Sequence, residues 1–375
     1  MKILHTADWH IGKFLNGVSL IDEQYYALNE IINIAAEENV DAIIIAGDIY
    51  DRAVPPTEAV DLFNEVLTKL LLEKNMPVLC ISGNHDSPTR LNFGTKILEK
   101  SNLFLHANLT KDLSPVILED KFGKVAFSLI PFVDTAMIKN VFEDIETNSL
   151  ADSFKILVDA AREKIPAGVR SVAVVHQFVA GSRDDVIKSD SERIFVGGSS
   201  NIPPIVFEGY DYVALGHLHA PQKIGRESVR YSGSPLKYSF DEATQKKGVE
   251  IVELDAEGKV ELKFIPIKPA HDVRIIEGSF DDVLNGPKSD DYILVRLSDD
   301  LPVLNARDRL QRNFPNILAI ERQFKESTLQ GKTRSMDEVK RMSISELFDD
   351  YYFYFHDSHL TEQQKSIVES CMTDL

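Results

Sequence analysis

The stretch KILHTADWH at residues 2–10 joins a short apolar run to an Asp-x-His pair, and the fold prediction starts from it. Lys2–Thr6 has the composition of a buried strand, and Asp8 and His10 come directly after it. The same pattern, an apolar run followed by a polar loop and often by a helix, recurs along roughly the first two thirds of the chain. Alternating strands and helices predict a layered α/β core, with β-sheets flanked by helices.

Six apolar runs are predicted to be strands of this core: Lys2–Thr6, Ala42–Ala46, Val78–Ser82, Val125–Ile130, Val172–Val175 and Tyr212–Leu215. Between them, apolar residues at helical spacing predict helices over residues 22–39 and 58–75. In layered α/β folds, binding sites form outside the carboxyl ends of the strands. The polar residues that directly follow these runs are therefore the first candidates for a functional site.

The chain is predicted to contain four parts, at residues 1–268, 269–325, 326–342 and 343–375. The first part carries the α/β pattern, and the second has the strand and helix spacing of a small α+β cap domain. The third part is polar and is predicted to be a linker. The fourth is predicted to be a helical tail, because Ser343 and Glu346 form a capping-box pattern at its start.

The composition is that of an ordinary globular protein with an excess of acidic side chains. Of 375 residues, 43% are hydrophobic and 27% are charged, and the formal net charge is −18. Such a charge argues against a protein that coats nucleic acid through a broad basic face. It does not exclude a phosphate substrate, because carboxylates gathered around metal ions add negative charge that the ions offset. An acidic chain that acts on DNA would need those ions, a few local Arg or Lys residues, and a partner that holds the duplex.

The sequence gives no sign of a membrane segment or of export. No stretch approaches the roughly 18 uninterrupted apolar residues of a membrane helix. The first residues lack the charged and apolar regions of a signal peptide. The cysteines are Cys80 and Cys371, too few for a disulfide framework. A cytoplasmic location is therefore expected.

Polar residues that can bind metals follow the predicted strands in a fixed order: Asp8, His10, Asp48, Asp51, Asn84, His85, Asp86, His176, His217 and His219. A single Asp-x-His pair, or a lone His after a strand, is weak support for a metal site. The whole series, each member behind a strand, is hard to obtain by chance. Carboxylate, amide and imidazole groups are ligands suited to Mn, Fe or Zn, so the series predicts a metal site.

Phosphodiester hydrolysis explains this set of ligands. Two ions about 3.5–4 Å apart can generate the nucleophile and neutralise the phosphoryl oxygens. A bridging carboxylate holds such a pair, and Asp48 is the candidate. The other predicted ligands are Asp8, His10 and His219 for one ion, and Asn84, His176 and His217 for the other.

Three further residues of the loops have candidate roles beside the ligands. His85 follows a predicted ligand, and it could protonate the leaving oxygen or stabilise the transition state. Asp51 could orient a ligand or an attacking group. Asp86 could do the same, and a turn or capping role is an equal alternative for it.

The motifs D-x-H, G-D-x-x-D, G-N-H-D and G-H-x-H, in this order, resemble those of the calcineurin-like metallophosphoesterase superfamily. Residues 4–12, 214–219 and 231–236 resemble, more narrowly, the nuclease subunits of bacterial SbcC–SbcD DNA repair complexes. The resemblance is strong over the phosphoesterase region. The cap and tail match in layout more than in motif.

The resemblance implies two Mn²⁺ ions, with Mg²⁺ or another divalent ion as an alternative, on the seven ligands named above, and a catalytic role for His85. It implies 3′-to-5′ exonuclease activity on double-stranded DNA and endonuclease activity on single strands and hairpins, in DNA repair and recombination. It also implies a homodimer within a heterotetramer, for which residues 13–34 are a candidate contact region.

The same resemblance implies an SbcC-type ATPase partner with a long coiled coil. The expected docking element is the tail, with the residues Ile344, Leu347, Phe348, Tyr351 and Phe355 at helical spacing. A pair of helices packed on its own domain is the alternative interpretation of the tail.

Other classes of function remain open. G-D-I-Y-D-R at residues 47–52 also fits the Ser/Thr protein phosphatases, in which the Arg grips the substrate phosphate. Here no Gly follows Arg52, and the third motif ends in Asp86 instead of Glu. Arg52 and Arg90 are therefore either substrate contacts or ordinary surface residues. The alternatives to a nuclease are a phosphatase or phosphodiesterase acting on proteins or small molecules, and a scaffold without metals.

Overall fold

The computed structural model describes residues 1–145, 147, 149–181, 186–192, 201–322, 342–356 and 358–372. Its strands are, in chain order, β1 (Lys2–Thr6), β2 (Phe14–Leu15), β3 (Val18–Ser19), β4 (Ala42–Ala46), β5 (Val78–Ile81), β6 (Leu103–His106), β7 (Val116–Asp120), β8 (Gly123–Ile130), β9 (Arg170–His176), β10 (Tyr212–Gly216), β11 (Gln222–Ile224), β12 (Arg226–Tyr231), β13 (Gly248–Leu254), β14 (Val260–Pro266), β15 (Val273–Gly278), β16 (Tyr292–Leu297) and β17 (Ile317–Arg322). Its α-helices are α1 (Ile21–Glu37), α2 (Thr57–Thr68), α3 (Pro88–Leu91), α4 (Thr95–Leu98), α5 (Thr135–Val141), α6 (Leu150–Glu163), α7 (Phe280–Asn285), α8 (Ala306–Leu310), α9 (Ile344–His356) and α10 (Glu362–Met372).

Two six-stranded sheets form the first compact unit, Met1–Arg274. The first sheet has the strand order β14-β13-β1-β4-β5-β6, and the second has the order β11-β12-β10-β9-β8-β7. The central strands β1, β4, β5 and β6 are mutually parallel, as are β12, β10, β9 and β8. The predicted strands and the layered α/β core are confirmed.

The two sheets pack face to face, because apolar side chains from both lie in one buried cluster. Ile3 and Ile44 of the first sheet share this cluster with Phe127 and Val174 of the second. Ile45, next to Ile44, is just as buried, and side chains alternate between the faces of a strand, so it points to the opposite face. Both faces of the first sheet are therefore covered, which explains the uninterrupted apolar runs.

Helices cover the outer faces of this sandwich through their apolar sides. In α6, Phe154, Leu157 and Val158 are buried in one cluster with Val213 and Leu215 of β10. The helix predicted at residues 58–75 forms as α2 followed by a π-helical turn at Lys69–Glu73. The helix predicted at residues 22–39 forms as α1.

The second compact unit, Ile275–Leu375, contains a small sheet and, among its described residues, the four helices α7 to α10. The sheet has the order β15-β16-β17, and α7 and α8 bury Phe280, Val283 and Leu310 in its core. The division of the chain into phosphoesterase, cap, linker and tail stays a prediction. Residues 326–341 of the predicted linker lie outside the described residues.

Both helices of the tail begin with a capping box, and the first of these is the one predicted above. At the start of α9, the Ser343 N–H donates to Glu346 Oε2 (2.7 Å), and the Glu346 N–H donates to Ser343 Oγ (3.2 Å). Thr361 and Gln364 make the same reciprocal pair before α10, at 2.9 and 3.4 Å. These capping boxes define where the two helices begin. In the described part of the chain, no helix has both the length and the apolar composition for crossing a membrane.

A buried arginine ties the two sheets together at the end of the sandwich where β9 begins. Arg170 donates to Asp120 Oδ1 (2.5 Å) at the end of β7, and to the carbonyls of Gly123 (2.8 Å) and Asp255 (3.1 Å). Asp255 follows the last residue of β13 in the first sheet, so the guanidinium links both sheets. The side chains of Arg170 and Asp120 are 5% and 6% exposed.

Replacing this arginine should destabilise the first unit. Arg170→Ala leaves the Asp120 carboxylate paired with the N-terminal ammonium of Met1 but without the guanidinium, and we expect a loss of about 2–3 kcal/mol in the free energy of unfolding. Lys155→Ala, which removes an exposed pair with Asp159, should cost less than about 1 kcal/mol. Denaturant unfolding at pH 7 measures both. Equal losses would show that the buried link contributes no more than a surface pair.

Candidate metal centre

Loops from both sheets meet at one edge of the sandwich. Asp8 and His10 follow β1, and Asp48 follows β4, all in the first sheet. His176 ends β9, and His217 follows β10, both in the second sheet. Each of these side chains is less than 9% exposed. The sequence predicts that they lie at strand ends, and the structure shows that two sheets supply them.

The first group consists of Asp8, His10 and His219, whose ligand atoms lie within 4.8 Å of one another. His10 Nε2 is 3.1 Å from His219 Nε2 and 3.5 Å from Asp48 Oδ2. These are the three residues that the sequence assigns to one ion. Asp48 lies beside them, as expected for a carboxylate that also serves a second position.

The second group is built around the same carboxylate. Asp8, Asp48 and His176 have ligand atoms within 4.8 Å of one another. His176 Nε2 is 3.4 Å from Asp48 Oδ2 and 3.1 Å from Asn84 Oδ1, and His217 Nδ1 is 2.9 Å from that amide oxygen. The predicted ligands of the other ion therefore come together. Asp48 Oδ2 lies between the two groups.

These distances fit metal coordination. Atoms bound to one ion at about 2.0–2.2 Å lie about 2.8–3.6 Å apart, depending on the angle between the bonds. The Nδ1–H of His176 donates to the Ala46 carbonyl (2.8 Å), so Nε2 is the nitrogen that faces Asn84 Oδ1 and Asp48 Oδ2 and can bind a proton or a metal ion there. Oxygen acceptors that face this nitrogen in a buried place need either a proton on the nitrogen or a metal ion between them. The residues present therefore fit a divalent metal ion.

The electrostatics of the centre follow from carboxylates buried among imidazoles. Burial raises the pKa of Asp48, but the nearby His176 outweighs burial and holds this pKa well below its usual value. Burial lowers the pKa of His176, and the attraction of Asp48 overcomes it and raises the pKa to about 9. Burial raises the pKa of Asp8 well above its usual value, with the Asp48 charge adding to the rise. The negative charge of Asp48 is thus stabilised by a positive partner, which is a protonated imidazole or a metal ion.

His85 lies at the edge of the first group. Its Nδ1–H donates to the Asp51 carbonyl (2.8 Å), and its ring lies edge-on to the His10 ring at 4.6 Å. The Asp51 carboxylate binds Lys13 Nζ (2.8 Å) and lies 3.8 Å from His10 Nδ1. Asp51 therefore orients His85 through its backbone and holds a lysine beside the centre through its side chain.

Asp86 organises the loops. Its carboxylate accepts the backbone N–H groups of Ile49 (3.1 Å), Tyr50 (3.0 Å) and Gly83 (2.9 Å). It thus joins the loop after β4 to the loop after β5. Burial, with the charge of Asp48 adding to it, raises the pKa of Asp86 to about 7. Of the two predicted alternatives for Asp86, these bonds favour the turn and capping role.

Some supporting residues have no motif that sequence reasoning could use. Gln24 in α1 donates to the His10 carbonyl (2.7 Å) and accepts the Gly12 N–H (2.9 Å). Glu242 contacts His219 from behind, with Oε1 3.2 Å from Nδ1. Each is at most 2% exposed in the structure, but neither has a sequence signal, and Glu242 lies in the polar stretch SFDEATQKK at residues 239–247. The structure does not place Arg52 or Arg90 in the buried cluster, because both are exposed.

The chain matches two family models. The calcineurin-like phosphoesterase model covers residues 1–221, and the model described as the type 5 capsule protein repressor C-terminal domain covers residues 269–353. Over 380 aligned residues the chain is 34% identical to the D subunit of the SbcCD nuclease of Staphylococcus saprophyticus. That alignment covers 100% of this chain and 98% of the relative.

Two solved structures are similar at low identity. TT1561 of Thermus thermophilus has 13% identity and a TM-score of 0.41, with 71% of this chain and 99% of that chain covered. The phosphopantetheinyl hydrolase PptH of Mycobacterium tuberculosis has 14% identity and a TM-score of 0.36, with 62% and 90% covered.

The fold, the clustered ligands and the family match define a metal-dependent phosphodiester hydrolase. The family model matches more than half of the chain, and the curated relative matches all of it. The chain belongs to the calcineurin-like phosphoesterase family and, within it, to the SbcD nucleases.

Glycine at position 216 should be necessary for the centre. A Cβ there would lie 1.9 Å from the Ala46 carbonyl oxygen and 2.9 Å from His176 Nδ1, so β4 and β10 could not keep their spacing. We expect Gly216→Ala to lower the free energy of unfolding by about 1–3 kcal/mol and to weaken metal binding. A Cβ at Gly181 would meet open space, so Gly181→Ala is the control and should change neither. Thermal unfolding and metal titration measure both variants, and normal binding by Gly216→Ala would contradict the close approach.

Proposed function

We propose that this chain is the Mn²⁺-dependent DNA nuclease subunit of an SbcCD-type complex and cleaves phosphodiester bonds with two metal ions. The observation that carries the proposal is the place of Asp48 Oδ2, 3.5 Å from His10 Nε2 and 3.4 Å from His176 Nε2. One carboxylate oxygen that lies next to a histidine of each ligand group is the arrangement that a bridged pair of ions requires. The similarity to the D subunit of an SbcCD nuclease supports DNA as the substrate.

The ligands of the two ions are proposed as predicted from the sequence. Asp8, His10 and His219 would hold one ion, Asn84, His176 and His217 would hold the other, and Asp48 would bridge them. Bound divalent ions would supply a water of lowered pKa as the nucleophile and positive charge to neutralise the phosphoryl oxygens. The attack forms a P–O bond to that water oxygen and breaks the P–O bond to the leaving sugar oxygen.

The leaving oxygen needs a proton, and His85 is the proposed donor. The bond from Nδ1 to the Asp51 carbonyl orients the ring so that Nε2 is left for the substrate. Lys13, which Asp51 holds next to His10, adds positive charge where the DNA backbone approaches. We propose exonuclease action on double strands and endonuclease action on single strands and hairpins, as the family resemblance implies.

The proposed partner is an SbcC-type ATPase with a coiled coil, bound through the tail at residues 343–375. Helix α9 carries Phe348 and Tyr351, which are 40% and 60% exposed. Large exposed apolar side chains on one helix are typical of a helix that binds a groove or another helix. The side chains of Ile344 and Phe355, which belong to the same predicted docking element, lie outside the described residues.

A homodimer through residues 13–34 is part of the same proposal, as is a cytoplasmic location. This region exposes several large apolar side chains: Phe14, Val18, Tyr25 and Tyr26. They lie on the hairpin β2–β3 and at the start of α1, directly after the first ligand loop. The domain limits 1–268, 269–325, 326–342 and 343–375 are proposed with it.

A cleavage assay tests the proposed activity. With Mn²⁺, the purified chain should cleave linear duplex and hairpin DNA, and excess chelator should stop cleavage because the ligands alone cannot generate the nucleophile. A small phosphomonoester, tested in parallel, should be hydrolysed far more slowly. Rapid hydrolysis of the monoester with intact DNA would favour a phosphatase instead.

His85→Gln should slow DNA cleavage about 10²–10⁴-fold, because it removes the proposed proton donor. The metal content should stay close to that of the wild type, since His85 is not a proposed ligand. His106→Gln, at the end of β6 and outside the cluster, is the matched control and should cleave normally. Loss of metal together with activity would instead make His85 a ligand.

Removing residues 340–375 should prevent assembly with the ATPase while leaving Mn²⁺-dependent cleavage by the isolated subunit unchanged. Ile156→Asp changes an exposed apolar residue of α6 in the other unit, and it should leave assembly intact. Co-purification of tagged ATPase with each variant is the measurement. A truncated chain that still co-purifies would show that the tail serves only its own fold.

A further inference from the structure

A buried ion pair lies behind one of the proposed ligands. Glu242 and Lys247 are 0% and 4% exposed in their side chains, and Lys247 Nζ is 2.5 Å from Glu242 Oε2. Glu242 Oε1 lies 3.2 Å from His219 Nδ1. The other ring nitrogen, Nε2, is 3.1 Å from His10 Nε2 and so faces the proposed metal position. The carboxylate and the metal position are therefore on opposite sides of one imidazole.

Hydrogen bonds decide which nitrogen of His219 carries the proton. The Ser191 hydroxyl donates to Glu242 Oε1 and lies 2.7 Å from His219 Nδ1. Both atoms that Nδ1 faces are thus acceptors, and Nδ1 must be the protonated nitrogen. Nε2 then presents its lone pair to the metal position.

Lys247 holds both the carboxylate and the backbone of the ligand. Its ammonium group pairs with Glu242 and donates to the His219 carbonyl (2.8 Å) and to Ser234 Oγ (2.9 Å). A buried carboxylate stays ionised only when a positive charge compensates it. One lysine therefore keeps Glu242 charged and limits movement of the loop that carries His219.

In two other proposed histidine ligands, the ring nitrogen that faces away from the metal position has a weaker hydrogen-bond partner or none. His176 Nδ1 donates to a neutral acceptor, the Ala46 carbonyl, at 2.8 Å. His10 Nδ1 has no hydrogen-bond partner among the residues that the structure describes. A charged carboxylate on the far nitrogen makes an imidazole more basic and fixes its orientation. Within the described residues, His219 is the one of these three rings that has a carboxylate at hydrogen-bond distance from the far nitrogen.

We infer that Glu242, whose charge Lys247 compensates, is a positioning residue. It aligns His219 and strengthens the binding of the ion that Asp8, His10 and His219 would hold. The inference rests on the proposed two-metal function. It assigns an effect to one ion of the pair, since the ligand that Glu242 contacts, His219, belongs to the first ion. Loss of this carboxylate changes the binding of the first ion and leaves the second unchanged.

Calorimetric titration of Mn²⁺ into the metal-free full chain, without DNA, tests the inference. The double variant Glu242→Gln, Lys247→Met removes both charges, so no unpaired charge stays buried. One of the two binding steps should weaken about 10–100-fold while the other keeps its wild-type affinity. Glu250→Gln is the control, because Glu250 is 1% exposed and pairs with Arg230 at 3.1 Å, away from the ligands. It should leave both steps unchanged.

Glu242→Asp is a milder variant that keeps the charge next to Lys247 and withdraws the carboxylate by about one C–C bond from His219. It should weaken the same binding step by less than the double variant does. Unchanged binding in both variants, or equal weakening of both steps, would overturn the inference. If every variant bound both Mn²⁺ ions with wild-type affinity and still cleaved DNA, the inference would be refuted and the proposed function would stand. If the wild-type chain bound two Mn²⁺ ions but did not cleave DNA, only the proposed substrate would be refuted.

Discussion

The carboxylate of Asp48 is the constraint on which the rest of the centre depends. It is 2% exposed and lies where the edges of two sheets meet, with a histidine from each sheet beside one oxygen. A buried negative charge is costly unless positive charge and hydrogen bonds compensate it. The second oxygen accepts the His85 N–H at 2.8 Å. Imidazoles, a backbone N–H and the metal ions of the family together supply that compensation.

Around this centre, polar side chains hold the loops in place by binding backbone groups. Gln24 fixes the loop after β1, Asp86 joins the loops after β4 and β5, and Lys247 holds the carbonyl of His219. None of these bonds involves a reacting atom. They matter because a ligand set works only when its geometry is held to fractions of an ångström. The chemistry of the metal ligands therefore depends on supporting residues that the motifs do not include.

Much of this could be predicted from the sequence, and the rest could not for physical reasons. The strands Lys2–Thr6 and Ala42–Ala46 follow from local apolar composition, and the structure has the same bounds. Local patterns say nothing about pairing over long distances, so the split into two facing sheets was not predicted. His10 and His219 approach to 3.1 Å across 209 positions. Glu242 was missed because a single acidic residue carries no period or spacing.

The backbone of the ligand loops has one more consequence. Asp8, His10 and Asp48 have φ angles of +54°, +44° and +49°, in the left-handed region that non-glycine residues rarely enter. Each such residue costs roughly 1–3 kcal/mol, which the surrounding structure must outweigh. Hydrogen bonds from the Asp8 N–H to Gly47 and from the His10 N–H to Asp48 hold two of them. Folding therefore fixes the shape of these loops, so the binding of an ion needs little rearrangement of the backbone. Selectivity among cations then depends on how rigidly the loops hold the ligand atoms.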